Sequence, residues 1–95
     1  MGVLRGVATQ PGTAVSVGGA STQVSSGVKS SAGGRYFAND HATQVVYLTL
    51  GPGPAVLNSG IRLNAAGGSI IIENYSGPVF AIATGAATPV LVAEV

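Results

Sequence analysis

The stretch Ser69-Ile70-Ile71-Ile72-Glu73-Asn74-Tyr75-Ser76-Gly77-Pro78-Val79-Phe80-Ala81-Ile82-Ala83-Thr84 reads as two short strands joined by a turn. Three successive isoleucines are stiff at χ1, which disfavours a helix and suits a pleated surface. Ser76-Gly77-Pro78 supplies the permissive glycine and the fixed proline φ that a tight connection needs. With the two-residue period of a strand, Ile70 and Ile72 share one face, while Ile71 shares the other with Ser69 and Glu73. A strand apolar on both faces is central in a sandwich or lies at an interface.

Outward from this stretch the pattern repeats. Val45 to Leu50 and Val90 to Val95 have the same length and β-branched content, and the last strand places Val90 and Val92 opposite Leu91, Ala93 and Val95. Weaker alternation marks Val3 to Ala8, Thr13 to Val17, Gln23 to Val28, Arg35 to Ala38 and Ile61 to Leu63. Gly67-Gly68, Ser76-Gly77-Pro78 and Gly85 predict hairpins between the last three strands. Gly51-Pro52-Gly53-Pro54 cannot join a ladder and reads as a loop. The Gly, Ser and Ala-rich stretch 18–34 is expected to be partly ordered. Fifteen glycines and five prolines leave no window for a helix, so the fold class is all-β: a small antiparallel β-sandwich or barrel of about 7–9 short strands. The expected organisation is an N-terminal arm, 1–10, and a single β domain, 11–95.

Composition narrows the functional classes. The chain of 95 residues is 46% hydrophobic and only 7% charged, against about 25% in ordinary domains. Arg5, Lys29, Arg35, Arg62, Asp40, Glu73 and Glu94 are all that could keep its surface soluble, so neighbours are expected to cover much of it. A net charge of +1 with scattered basic residues gives no footprint for nucleic acid. Without cysteine there are no disulfides, thiolate ligands or thiol nucleophiles. No apolar run has the length of a signal peptide or a membrane span, so neither export by a standard signal nor membrane insertion is expected.

Chemistry finds little purchase. His41 is the single histidine and follows Asp40, but adjacent residues on an extended chain point apart, and no serine sits in a G-x-S-x-G elbow. Asn39 and Asp40 instead read as turn residues bonding their own backbone. Glu73 and Glu94 have nothing to fix the separation glycoside cleavage requires. No ligand spacing suggests a metal, and Gly51-Pro52-Gly53 lacks the third glycine and helix of a phosphate cradle. Asn74-Tyr75-Ser76 fits a glycosylation sequon but reads as turn chemistry. Tyr36, Phe37, Tyr47, Tyr75 and Phe80 could stack on a sugar, yet aromatics in a β domain more often pack in the core. The expectation is a protein that is not an enzyme, with no catalytic residues, metal or cofactor.

From Asn39 onward the order of features resembles the small β-sandwich accessory proteins of tailed-bacteriophage particles. The resemblance rests on Asn39-Asp40, Gln44 to Leu50, the Gly-Pro loop, Ser59-Gly60-Ile61-Arg62-Leu63-Asn64, Gly67-Gly68-Ser69, and Glu73-Asn74-Tyr75-Ser76-Gly77-Pro78-Val79-Phe80-Ala81-Ile82-Ala83. It covers a little over half of the chain, and the first third matches nothing in that pattern. It implies a structural virion protein, foremost a capsid decoration subunit stabilising contacts between major capsid proteins. The alternatives it leaves open are a tail, neck or fibre adaptor, or a glycan- or receptor-binding module. The implied partners are the major capsid protein or other virion subunits and further copies of the chain, a trimer being favoured, with no direct nucleic acid and no membrane. The implied location is the virion, at the capsid surface, after assembly in the host cytoplasm.

Candidate interface residues follow. Val3, Leu4 and Val7 would give an N-terminal arm apolar contacts, and Arg5 a charge-assisted one. Arg62, read as lying in the turn before Leu63, could pair with a carboxylate across an interface. Leu91 and Val95 lie on the second apolar face of the last strand.

Overall fold

A computed structural model describes residues 13–26, 34–73 and 75–94. Among them there is no helix, and eight strands form two four-stranded antiparallel sheets: β1 (Thr13–Val17), β2 (Thr22–Ser25), β3 (Arg35–Asn39), β4 (Val46–Leu50), β5 (Ile61–Leu63), β6 (Ser69–Ile72), β7 (Val79–Ala83) and β8 (Thr88–Glu94). One sheet has the order β1-β8-β3-β6 and the other β2-β7-β4-β5. Of the seven connections only β4–β5 stays within a sheet; the others cross between layers. This is the strand order of a jelly roll, two Greek keys wrapped into a sandwich.

The sandwich expected from the sequence is therefore the fold, but the hairpins expected between the last three strands do not form. β6 pairs with β3, β7 with β2 and β4, and β8 with β1 and β3. The physical reason is burial. Ile70 and Ile72 on β6, Val79, Ala81 and Ala83 on β7, and Val90 and Val92 on β8 each turn an apolar row inward, and successive strands bury these rows from opposite sides of one core. Ser76-Gly77-Pro78 and the Thr84 to Ala87 segment bridge the layers instead of folding a strand back beside its predecessor. Local turn chemistry is the same in both cases.

The core contains Val17, Val24, Phe37, Val46, Leu48, Leu63, Ile72, Val79, Ala81, Ala83 and Val90, contributed by all eight strands. Two polar residues of β3 point into the same interior. Asn39 is fully buried; its Nδ2 donates to the Gln44 and Leu63 carbonyls at 2.7 and 3.1 Å, and its Oδ1 accepts the His41 amide at 3.0 Å. Arg35, at 1% exposure, donates to Ser25 Oγ and to the Tyr75 carbonyl, both at 2.7 Å, and its guanidinium lies 5.3 Å from the Tyr75 ring centroid. Its Nε is buried without a hydrogen-bond acceptor. The sequence counted Arg35 among the solubilising surface charges; it is an interior cation tying one sheet to the other.

β8 begins two residues before the expected start, at Thr88, and runs through Pro89. Proline is tolerated there because its side of the ladder lies past the end of β3, where its carbonyl accepts the Asp40 amide at 3.0 Å. β2 ends at Ser25 with an irregular register between Gln23 and Ser25, and Val28 lies outside the described residues.

Candidate interaction surfaces

The two sheets treat their outer faces differently. On the β2-β7-β4-β5 sheet, Tyr47, Phe80 and Ile82 point away from the main core and would face solvent. The ten-residue β4–β5 loop, 51–60, folds back over them. Ala55 packs on Tyr47 and Ile82, which are 6% and 8% exposed, and Gly53 lies flat on the Phe80 ring, where a Cβ would fall 2.8 Å from Cδ2. Three hydrogen bonds and one backbone turn fix this loop. The Ala55 amide donates to Ser21 Oγ at 2.8 Å, Tyr47 Oη donates to Asn58 Oδ1 at 3.0 Å, the Gly51 amide donates to the Pro78 carbonyl at 3.0 Å, and Gly60 takes the left-handed φ of +86° that returns the chain to β5.

The loop covers one apolar patch and creates another. Leu50, Val56 and Leu57 are the large hydrophobic side chains most open to solvent among the described residues, at 40%, 55% and 40% exposure. No charged residue occurs between Leu50 and Ile61. A fixed apolar tip of this kind binds without first losing loop entropy.

The outer face of the β1-β8-β3-β6 sheet is half-buried, with Ala38 at 4% exposure. The register places Ala14, Leu91, Ala38 and Ser69 in one row across the four strands, and Ala93, Tyr36 and Ile71 in the next. Tyr36, Ile71, Leu91 and Ala93 are partly exposed, and neither row contains a charge. Of the charged residues near them, Arg35 on β3 is buried in the interior, Glu94 ends β8, and Asp40 and Glu73 lie just past the ends of β3 and β6.

Leu91 thus lies on the outer face of this sheet, half-buried. Arg62 lies on β5, not in a turn, and its guanidinium is engaged within the chain: Nε donates to Asn64 Oδ1 at 2.7 Å, Nη1 to Tyr47 Oη at 3.1 Å, and the group lies 5.9 Å from the Tyr47 ring centroid. Val3, Leu4, Arg5, Val7 and Val95 lie outside the described residues, as does the arm 1–10. The tip residues Val56 and Leu57 were missed by sequence reasoning, because an apolar pair following a proline-rich loop looks like the approach to a buried strand.

The turn after β3 forms in part as its sequence suggests: Asn39 Oδ1 accepts the His41 amide at 3.0 Å, while the Asp40 side chain makes no such bond among the described residues. His41 Nδ1 accepts the amides of Thr43 and Gln44, both at 3.0 Å, so this nitrogen is committed to backbone. Among the described residues no cluster of His, Asp or Glu could hold a metal, and no helix is long and apolar enough to cross a membrane. Phe37 and Tyr47 are buried, and Tyr75 and Phe80 pack against the two cores. No family model, curated protein or solved structure matches the chain.

Proposed function

We propose that this chain is a structural, non-enzymatic subunit of a virus particle, in the role of a capsid decoration protein that docks as a small homo-oligomer at junctions between major capsid subunits, on the outer surface of particles assembled in the host cytoplasm. The observation that carries this reading is the fixed apolar tip at Val56 and Leu57, presented by a charge-free loop on a sandwich whose own core does not need it. The resemblance of the second half of the chain to phage accessory proteins supplies the virion. Jelly rolls also serve many other roles, so the fold alone does not choose among them.

Burying the exposed parts of Val56 and Leu57 is worth about 2–3 kcal/mol per copy at ordinary transfer values. That is too little for a lone monomer. A linked set of copies engaging adjoining subunits multiplies it through effective concentration, which is the mechanical logic of a cement subunit. The candidate arm, with Val3, Leu4, Arg5 and Val7, would add contacts of the same apolar and charge-assisted kind.

The test is binding of purified protein to capsids lacking it, with stoichiometry from gel densitometry and capsid disruption followed on heating. Saturable binding at many copies with a raised disruption temperature, lost in Val56→Asp/Leu57→Asp, is the expected result. Few copies at one vertex would move the protein to the neck, tail or fibre. No binding to any particle would overturn the virion reading.

A further inference from the structure

We infer that His41 is a pH-sensitive clasp: its neutral ring holds the turn between β3 and β4 shut, and protonation of Nδ1 in mildly acidic solution opens that turn at one end of the sandwich. The inference is independent of what the chain docks on.

The geometry is that of an Asx-turn made with a histidine. In an Asx-turn the side-chain oxygen of Asn or Asp accepts the backbone amide two residues on. Here His41 Nδ1 takes the place of that oxygen and accepts the amides of Thr43 and Gln44, both at 3.0 Å. An imidazole nitrogen accepts only while it carries no proton, so the closed turn holds the ring neutral with its proton on Nε2. Imidazolium is a donor at both nitrogens. A proton on Nδ1 would point an N–H at two N–H groups, so the proton and the two bonds exclude each other. The sign follows from linkage: the open turn binds a proton that the closed turn refuses, so closure is fully favoured at neutral pH and weakens as pH falls through the range in which histidines titrate. Histidine is the side-chain type whose ordinary titration lies between about pH 5 and 8, and the chain has one.

The surroundings leave these two bonds in control of the proton. The connections bonded to the turn, 64–68 and 84–89, contain no charged or titratable side chain. Arg62 reaches the first of them through Asn64 Oδ1, and a cation there disfavours a second positive charge. On β3 and β4, Arg35 is engaged with Ser25 and Tyr75, and Tyr47 with Asn58 and Arg62. Asp40 precedes the histidine and is exposed, so its attraction for an imidazolium is screened by water.

The turn in turn fastens the connections beside it. The Ala66 amide donates to the His41 carbonyl at 2.7 Å, the Asp40 amide to the Pro89 carbonyl at 3.0 Å, and the Thr84 amide to the Val45 carbonyl at 3.0 Å. Gln44, whose amide the ring holds, offers its own carbonyl to Asn39 Nδ2 and its side-chain oxygen to Thr84 Oγ1. Opening the clasp therefore loosens the end where β4 begins, and leaves in place the 51–60 loop that follows the other end of that strand.

Solution NMR of the full chain between about pH 7.5 and about pH 5 tests this, with the variants His41→Asn, which keeps an acceptor that cannot titrate in this range, and His41→Ala, which has none. The readouts are the protonation state of Nδ1 from imidazole nitrogen shifts, and solvent exchange of the Thr43 and Gln44 amides relative to their intrinsic rates, with residues 51–60 as the internal reference. In the wild type, protection of the two amides should be present at neutral pH and fall by up to about tenfold per pH unit, the limit for one proton. His41→Asn should hold it at both ends of the range, and His41→Ala should lack it throughout. Wild-type protection that does not change with pH, a pH response retained by His41→Asn, or an Nδ1 that carries the proton at neutral pH would each overturn the inference. An equal loss across residues 51–60 would also overturn it, by showing general acid unfolding in place of a local clasp. If a variant fails to fold, the wild-type nitrogen shifts and amides still decide, and capsid binding enters none of these readouts.

Discussion

The hydroxyl of Tyr47 donates to Asn58 Oδ1 at 3.0 Å while accepting from Arg62 Nη1 at 3.1 Å, so one phenol links a strand of the sandwich to the far limb of the β4–β5 loop. Tyr47→Phe keeps the ring that covers Ala55 and removes only this link. Global stability should fall by about 1 kcal/mol, the net worth of a typical hydrogen bond. Amide exchange in residues 51–60 should accelerate far more than in β7 or β8, because the loop loses its fastening while the core does not. Exchange followed by NMR reads this directly; an unchanged loop would mean that Ser21, Pro78 and Phe80 hold it without Tyr47.

Asn39 satisfies two buried carbonyls and one amide at once. Asn39→Asp replaces the two donated N–H groups with a carboxylate oxygen facing the Gln44 and Leu63 carbonyls in a fully buried site. Asn39→Ala merely deletes them. Asp should cost more than Ala, about 3–5 kcal/mol against about 2–3 kcal/mol. Urea unfolding midpoints at constant slope measure both, and equal losses would show that the turn relaxes open.

Gly60 and Gly67 both have left-handed backbone, at φ +86° and +100°, but their surroundings differ. A Cβ at Gly60 would run into the Leu48 carbonyl oxygen, whereas one at Gly67 meets open space. Gly60→Ala should therefore cost at least about 2 kcal/mol and Gly67→Ala only about 1 kcal/mol, the conformational part alone. Thermal melts of the two variants side by side settle the difference.

Arg35→Lys is conservative in charge only. The planar fork reaches Ser25 Oγ and the Tyr75 carbonyl together, and a single ammonium on a flexible stem cannot reproduce both along with the contact to the Tyr75 ring. A loss of about 2–3 kcal/mol is expected in denaturant melts. A variant as stable as the parent would mean that the buried Nε already weakens the native site as much as its neighbours strengthen it.

The strands were legible because their signal is local. Thr13–Val17 and Ile61–Leu63 appear at the predicted residues, and the alternation of Ile70, Ile71 and Ile72 assigns their faces correctly. Pairing was not legible, since an arch between sheets and a hairpin within one use the same Gly and Pro chemistry. Arg35 misled for a related reason: an arginine next to an aromatic strand reads as surface unless the serine and carbonyl awaiting it, ten and forty residues away, are known. Leu91 was placed on a second apolar face from the two-residue period alone, and it lies on the outer face of its sheet, away from the core row of Val90 and Val92. Val56 and Leu57 escaped because exposure in a loop depends on where its backbone is pinned.

The strand order also dictates when the fold can exist during synthesis. β8 lies between β1 and β3, and β7 lies between β2 and β4, so one inner strand of each sheet is made after both strands it must join. Until Thr88–Glu94 emerges, β1 has no ladder partner, and until Val79–Ala83 emerges, β2 has none. Chains are made at about 5–20 residues per second and fold as they emerge where early segments suffice, and here they do not. The nascent sandwich holds its apolar rows unassembled until β7 and β8 are made, then closes both layers together, so a chain cut before Thr88 is no smaller version of this fold.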